Sequence, residues 1–424
     1  MLEIRRTYEI RCPVFGFIHL YDWEREIINH KYFQRLRRIR QLAWCDLVYP
    51  GAMHSRFEHS LGVLHMATLL FEGIVERSKT VLQDEMALNS TGLERHKIIV
   101  RLAALLHDIG HAPFSHAGEE LFPIIPKKSL RYTHENYSAE IVRQHFADVI
   151  NNNRELLNNY GKIADDVVNL LEGGPQAGTV LFWKDLISGQ LDADRMDYLL
   201  RDSLHAGVDY GRYDWRRLVN TFVAVPSSAE YGNLGVSEGG WHAAEGLFLA
   251  RYFMFTQVYF HKTRVAYDHH IQEALASLLP GGKFPPPTPD GIIDYLKWDD
   301  GRVLGLLSEG KGGEHGRRLL ERDHFRLIRE TPETPDEADN ERYAEWKETL
   351  GELLAFEGRA SKSWYKIAKS DIPVVSETTD RKIRPLNEYS SIVAKIKPIK
   401  QLRLYVEKEK KGEANERLEK VKGK

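Results

Sequence analysis

No feature constrains this chain more than the apolar run Ile98-Ile99-Val100-Arg101-Leu102-Ala103-Ala104-Leu105-Leu106, which ends in His107-Asp108. A helix that apolar must be buried, and the imidazole and carboxylate at its end then need partners, because a lone buried charge costs on the order of several kcal/mol. A divalent cation is a partner for both. Two further histidines follow in Ile109-Gly110-His111-Ala112-Pro113-Phe114-Ser115-His116. Gly and Pro there break the helix and turn the chain back past the same spot.

With 424 residues the chain exceeds one average domain. Its formal net charge of −2 supplies no overall basic field that argues for nucleic acid. Its two cysteines, Cys12 and Cys45, are too few for a disulfide framework or a thiolate metal site, which fits a reducing compartment. The start, Met1-Leu2-Glu3-Ile4-Arg5-Arg6, lacks the apolar stretch of a leader, and no window approaches the roughly 20 apolar residues of a membrane span. We therefore expect a cytoplasmic protein with no membrane partner.

Apolar residues recur at helical spacing over residues 22–278, as in 61–75, 98–106, 139–149 and 247–279, with Gly or Pro between many neighbours. Residues 281–289 and 310–316 read as loops. Residues 371–375 and 401–406 alternate or favour β-branched side chains and predict strands. The tail over 408–424 is rich in Lys and Glu with almost nothing to bury, and predicts a solvated helix. These patterns predict a mainly α fold over residues 1–278 and a smaller α+β region over 279–424.

Upstream of the His-Asp pair, His54-Ser55-Arg56-Phe57-Glu58-His59 opens a helix; downstream, Asp192-Ala193-Asp194-Arg195-Met196-Asp197-Tyr198 opens an acidic one. Two imidazoles and two carboxylates suit a borderline cation in an octahedral site better than Ca²⁺. The ordered set His59, His107-Asp108, Asp194, with Gln34-Arg35-Leu36-Arg37, Gln41-Leu42 and Tyr49-Pro50-Gly51 before it, resembles the HD-superfamily deoxynucleoside triphosphate triphosphohydrolases over roughly residues 10–270.

The resemblance implies an HD-domain helical fold and His59, His107, Asp108 and Asp194 as ligands of one divalent ion, its identity open among Fe, Mn, Zn, Ni, Co and Mg. It implies His116 as the proton-transfer residue, with His111 and His134 beside it, though a structural role for His134 stays open. Glu119 stands three residues after His116, one helical turn on, where a carboxylate orients an imidazole and raises its pKa. Arg56, Arg195 and Arg251 match phosphate contacts, and Gln41, Tyr198 and Asp202 match contacts to the sugar 3′-hydroxyl. Leu42 and Tyr259 match the residues that crowd the 2′ carbon and reject a ribose hydroxyl; core packing accounts for both equally well.

The implied reaction converts a dNTP and water to a deoxynucleoside and inorganic triphosphate, in a homo-oligomer. Where vertebrate members read a guanine activator, this chain has Arg11, Phe17 and Asn29, and it retains Gln34 and Arg37. Without a carboxylate at 29 the guanine donor edge lacks its acceptors, so we expect an effector other than GTP, or none. Two rivals stand beside this reading. One is an HD phosphomonoesterase or phosphodiesterase acting on nucleotides or nucleic-acid ends; the other is a nucleotide- or nucleic-acid-binding regulator with an idle metal site, resting on the basic run Arg35, Arg37, Arg38 and Arg40.

Overall fold

A computed structural model describes residues 6–173, 180–225, 234–363, 371–377 and 382–422, so residues 1–5 and the last two of the charged tail lie outside it. An antiparallel strand pair, β1 (Arg6–Cys12) and β2 (Gly16–Tyr21), precedes the helices. Helix α1 (Arg56–Arg77) starts at Ser55, whose backbone N–H donates to Glu58 Oε1 at 3.3 Å in a capping box. Helix α2 (Ser90–Leu106) starts at Asn89, whose side chain caps Gly92 N, and every residue from Ile98 to Leu106 is buried. Arg101, inside that run, is satisfied by Glu24 through bonds of 2.7 and 2.6 Å.

The chain leaves α2 at His107, turns, and forms the short helix α3 (His116–Glu119) and then α4 (His134–Ile141). Gly110 allows the turn to lie against α4, since a Cβ there would sit 2.3 Å from Ser138 N and 2.4 Å from the His134 carbonyl. Helix α5 (Ala193–Ala206) is capped by Asp192 and seats directly on α1. A Cβ at Gly62 of α1 would meet Asp197 Oδ1 at 1.8 Å, so only glycine permits this approach.

The periodic stretch over 247–279 resolves into α6 (Trp241–Phe253), a π-helical turn (Met254–Tyr259) and α7 (Lys262–Leu278). The wider turn shifts the register between Arg251 and Tyr259. Beyond α7 the expected loop over 310–316 is shorter than predicted, because a helix begins at Gly313 after two glycines with positive φ.

Strands β3 (Phe222–Ala224) and β4 (Leu234–Ser237) join β7 (Pro373–Val375) and β8 (Ile383–Pro385) in a sheet ordered β3-β4-β7-β8, with β4 and β7 parallel. A second, antiparallel sheet has the order β5 (Arg326–Glu330), β9 (Ile399–Val406), β6 (Leu354–Lys362). Helices α8 (Glu337–Leu350) and α9 (Lys411–Lys422) cover it. This corrects the solvated tail: Ala414 and Leu418 of α9 enter a small core with Ile328, Tyr343, Leu350 and Leu404. A mainly α fold with a smaller α+β C-terminal region results, as the sequence predicts. Among the described residues no helix is long and apolar enough to cross a membrane.

Candidate metal centre and phosphate pocket

His59 sits one turn into α1, His107 and Asp108 at the end of α2, and Asp194 in the first turn of α5. Their ligand atoms converge. His59 Nε2 lies 3.4 Å from Asp108 Oδ2 and 3.0 Å from Asp194 Oδ1, and His107 Nε2 lies 3.1 Å from Asp108 Oδ1 and 3.7 Å from Asp194 Oδ1. Yet both Nε2 atoms are buried without a hydrogen-bond partner, so the approach is close but not that of a shared proton.

Each imidazole is held by its other nitrogen. His59 Nδ1–H donates to Asp197 Oδ2 at 2.8 Å, and His107 Nδ1–H donates to the Ala104 carbonyl at 2.9 Å. Both Nε2 lone pairs therefore point inward, the arrangement a metal-ligating histidine needs. Burial opposes a charge on His59, but Asp194 and Asp197 outweigh it and push its pKa up to about 10. The excess of negative charge that would hold a proton there favours a cation equally well. Burial alone would raise Asp108, yet Arg56, His107 and His111 hold it well below the usual carboxylate range. These donors fit a divalent ion, and His59, His107 and Asp108 form a cluster able to hold one.

A second group adjoins the first through His111, whose Nε2 lies 3.1 Å from Asp108 Oδ1. Glu119 Oε1 faces three imidazoles, the Nδ1 atoms of His111, His116 and His134 lying 2.7, 3.2 and 3.1 Å away. The His111 and His134 rings stack at 3.9 Å. Burial and the nearby Arg56 pull His111 down to about 4, leaving it neutral. Burial pulls the same way on His134, but Glu119 overrides it and pushes His134 up to about 9. His116 differs in exposure: 66% of its side chain is open to solvent, while its Nδ1 faces Glu119 Oε1 at 3.2 Å. An imidazole oriented from behind and open in front is positioned to give a proton to an incoming ligand.

The loop that carries His116 is strained. Phe114 and Ser115 have φ of 57° and 55°, a region non-glycine residues rarely occupy. Asp300 accepts from Phe114 N at 2.8 Å and from Arg40 N at 2.9 Å, and Ser115 Oγ donates to the Arg40 carbonyl at 2.6 Å. Held in this way, Ser115 Oγ accepts from Arg56 Nε at 2.8 Å.

The remaining residues named from the sequence line α5 and the turn after α6. Tyr259 Oη donates to Asp202 Oδ2 at 2.6 Å, and the Tyr198 and Tyr259 rings meet at 6.2 Å. Arg251 is buried beside Tyr198. Arg195 pairs with Asp192 at 2.5 Å, and Arg56 with Asp108 at 2.5 Å, so both guanidinium groups already have carboxylate partners. Gln41 is buried with Oε1 unpartnered, and Leu42 next to it belongs to the main core.

Several supporting residues escape a reading by motif. Asp197 orients His59 and is itself held by Arg201 at 2.7 Å. The i, i+4 pair Asp197-Arg201 inside an acidic helix was the available signal. His54 Nε2 donates to Asp202 Oδ1 at 2.7 Å, and Ser115 and Asp300 act across separations that no local pattern reveals.

The chain is similar to known proteins over nearly its whole length. Residues 56–200 match the HD domain and residues 213–352 the HD-associated region. A crystal structure of a hypothetical protein from Aquifex aeolicus superposes with a TM-score of 0.79 at 30% identity, covering 97% of this chain and 99% of that one. An uncharacterized protein of Methanocaldococcus jannaschii is 29% identical over 422 residues, covering 96% of this chain and 81% of its own length. The deoxynucleoside triphosphate triphosphohydrolase of Gallus gallus is 32% identical over 243 residues, and the match spans 51% of this chain but only 37% of that enzyme.

Proposed function

The chain belongs to the HD-domain family, and from that premise we propose that it hydrolyses deoxynucleoside triphosphates to deoxynucleoside and inorganic triphosphate. The observation that carries the reading is the pairing of two inward-facing imidazole Nε2 atoms with Asp108 and Asp194, one contact away from His116 and Glu119. A pocket that only bound nucleotide would need no exposed imidazole backed by a carboxylate.

His59, His107, Asp108 and Asp194 would hold a divalent ion, which would supply Lewis acidity and activate water at neutral pH. The chain's own residues do the rest. Arg195 and Arg251 hold the phosphates as fixed cations, and Arg56 keeps Asp108 ionised. Asp202, set by His54 and Tyr259, accepts from the sugar 3′-hydroxyl with Tyr198 and Gln41 beside it. Tyr259 and Leu42 crowd the 2′ carbon. As the bond between the α-phosphorus and the 5′ oxygen breaks, His116 protonates that oxygen, and Glu119 stabilises its imidazolium form.

The same reading carries a homo-oligomer and an effector other than GTP, or none. Asn29 is exposed, Arg11 lies over Phe17 at 4.6 Å, and Arg37 donates to Gln34 Oε1 at 2.8 Å. The test incubates purified protein with the four dNTPs and Mn²⁺ or Mg²⁺, first without GTP and then across a GTP titration, with products resolved by ion exchange. Triphosphate release without GTP is the expected result. Orthophosphate or pyrophosphate as first product would instead support a phosphomonoesterase or phosphodiesterase, and a strict GTP requirement would overturn the effector reading.

A further inference from the structure

Strand β6 is an edge strand of the C-terminal sheet. Along it Gly358 and Ala360 are buried, while Arg359 and Ser361 are exposed. Successive side chains alternate between faces, so Lys362 continues the side of Gly358 and Ala360. That side faces the helices: Ala360 belongs to the main core, and a Cβ at Gly358 would lie 3.3 Å from Val265 Cγ1 of α7. The small residues bring the strand end close enough for the lysine to reach across.

Lys362 Nζ comes to rest 4.8 Å from the centroid of the Phe255 ring. Phe255 lies in the π-helical turn, with Arg251 Cζ 5.8 Å from its centroid and the Tyr259 ring 4.8 Å away edge-on. The ammonium group and the Arg251 guanidinium thus share the Phe255 ring, next to Tyr259. Among the described residues Lys362 has no ion-pair partner. Burial, with Arg251 and Arg195 against it and Asp194 for it, holds its pKa down to about 8. Burying an ammonium group that lacks a carboxylate partner beside two guanidinium groups is costly unless a polyanion joins it, and a ring contact repays only part of that cost.

We propose that Lys362 is a further cation of the phosphate pocket, supplied by the C-terminal sheet, and contacts a phosphate oxygen of the bound triphosphate. The inference rests on the phosphohydrolase reading for the identity of its substrate. Its test therefore begins with a probe that needs no turnover.

Binding of inorganic tripolyphosphate to the full chain is measured by calorimetry at fixed free Mn²⁺. Lys362→Met, which keeps an unbranched aliphatic side chain and removes the charge, should weaken binding about tenfold, the loss of one charged contact. Lys362→Arg should stay within about threefold of the parent, and Arg359→Gln, on the exposed face of the same strand, should change nothing. In turnover with dATP, KM should rise by the same factor in Lys362→Met while kcat falls by less. Lys362→Gln repeats the test should the Met variant unfold. Unchanged tripolyphosphate affinity in a folded Lys362→Met or Lys362→Gln variant would overturn the proposal, as would a parent protein that binds no tripolyphosphate. A parent that binds tripolyphosphate through Lys362 yet hydrolyses no dNTP would uphold it and sink the triphosphohydrolase reading alone.

Discussion

His107 and Asp108 were legible because their chemistry is local: an apolar run cannot end in two polar groups without a partner. What holds each ligand was not legible. His59 depends on Asp197, and Asp108 on Arg56, through contacts between different helices. Replacing His107 and Asp108 together by Ala removes two of the four proposed ligands and should lower metal affinity by more than about a hundredfold, abolishing turnover. Metal analysis of the purified variant checks this; stoichiometric metal in the double mutant would place the ligands elsewhere. His134 supplies a pH signature. Its pKa is raised from 6.5 to about 9 in the folded protein, burial being outweighed by Glu119. The stabilisation is thus complete below about pH 6.5 and is lost as pH rises through 9. His134→Gln should cost on the order of 1–3 kcal/mol at pH 6 and progressively less above pH 9. Urea unfolding across that range decides it, and a cost independent of pH would show that the imidazolium plays no part.

Among the elements, α1, α2 and α5 follow from caps and periodicity, each agreeing with the tertiary contact it makes. Strands β7 and β9 were marked by their β-branched or alternating residues, whereas β5 and β6 were not. The sequence of β6, Leu354–Lys362, mixes charges into an edge strand whose buried positions are glycine and alanine, so no hydrophobic alternation betrays it. Helix α9 was legible as a helix, but its packing was not, because only Ala414 and Leu418 enter the core. The strained turn before α3 shows how a distant element completes the site. Asp300 satisfies the backbone N–H groups of Phe114 and Arg40. Asp300→Ala leaves both donors buried and unpaired and should cost about 2–4 kcal/mol, with a fall in activity as the turn relaxes away from its positive φ values. Thermal unfolding and dNTP turnover measure the two effects; an unchanged melting temperature would show that Asp300 does not hold the turn.

Taken whole, the molecule places its charged chemistry where several separately folded segments meet. The proposed metal ligands come from α1, α2 and α5, the proposed proton-transfer residues from α3 and α4, and the proposed pocket wall from α5 and the π-helical turn. The ordered motifs disclosed this convergence, since ligand order along the chain survives folding. The contribution of the C-terminal sheet did not show, because Lys362 carries no motif and its position depends on how the sheet packs on α7. The central claim is that water adds to the α-phosphorus and the 5′ oxygen departs. Hydrolysis of dATP in ¹⁸O-water, with the products read by mass spectrometry, tests it most directly. The account predicts one ¹⁸O in the released triphosphate and none in the deoxynucleoside. Label appearing in orthophosphate or pyrophosphate as the first product, or in the 5′-hydroxyl, would contradict it.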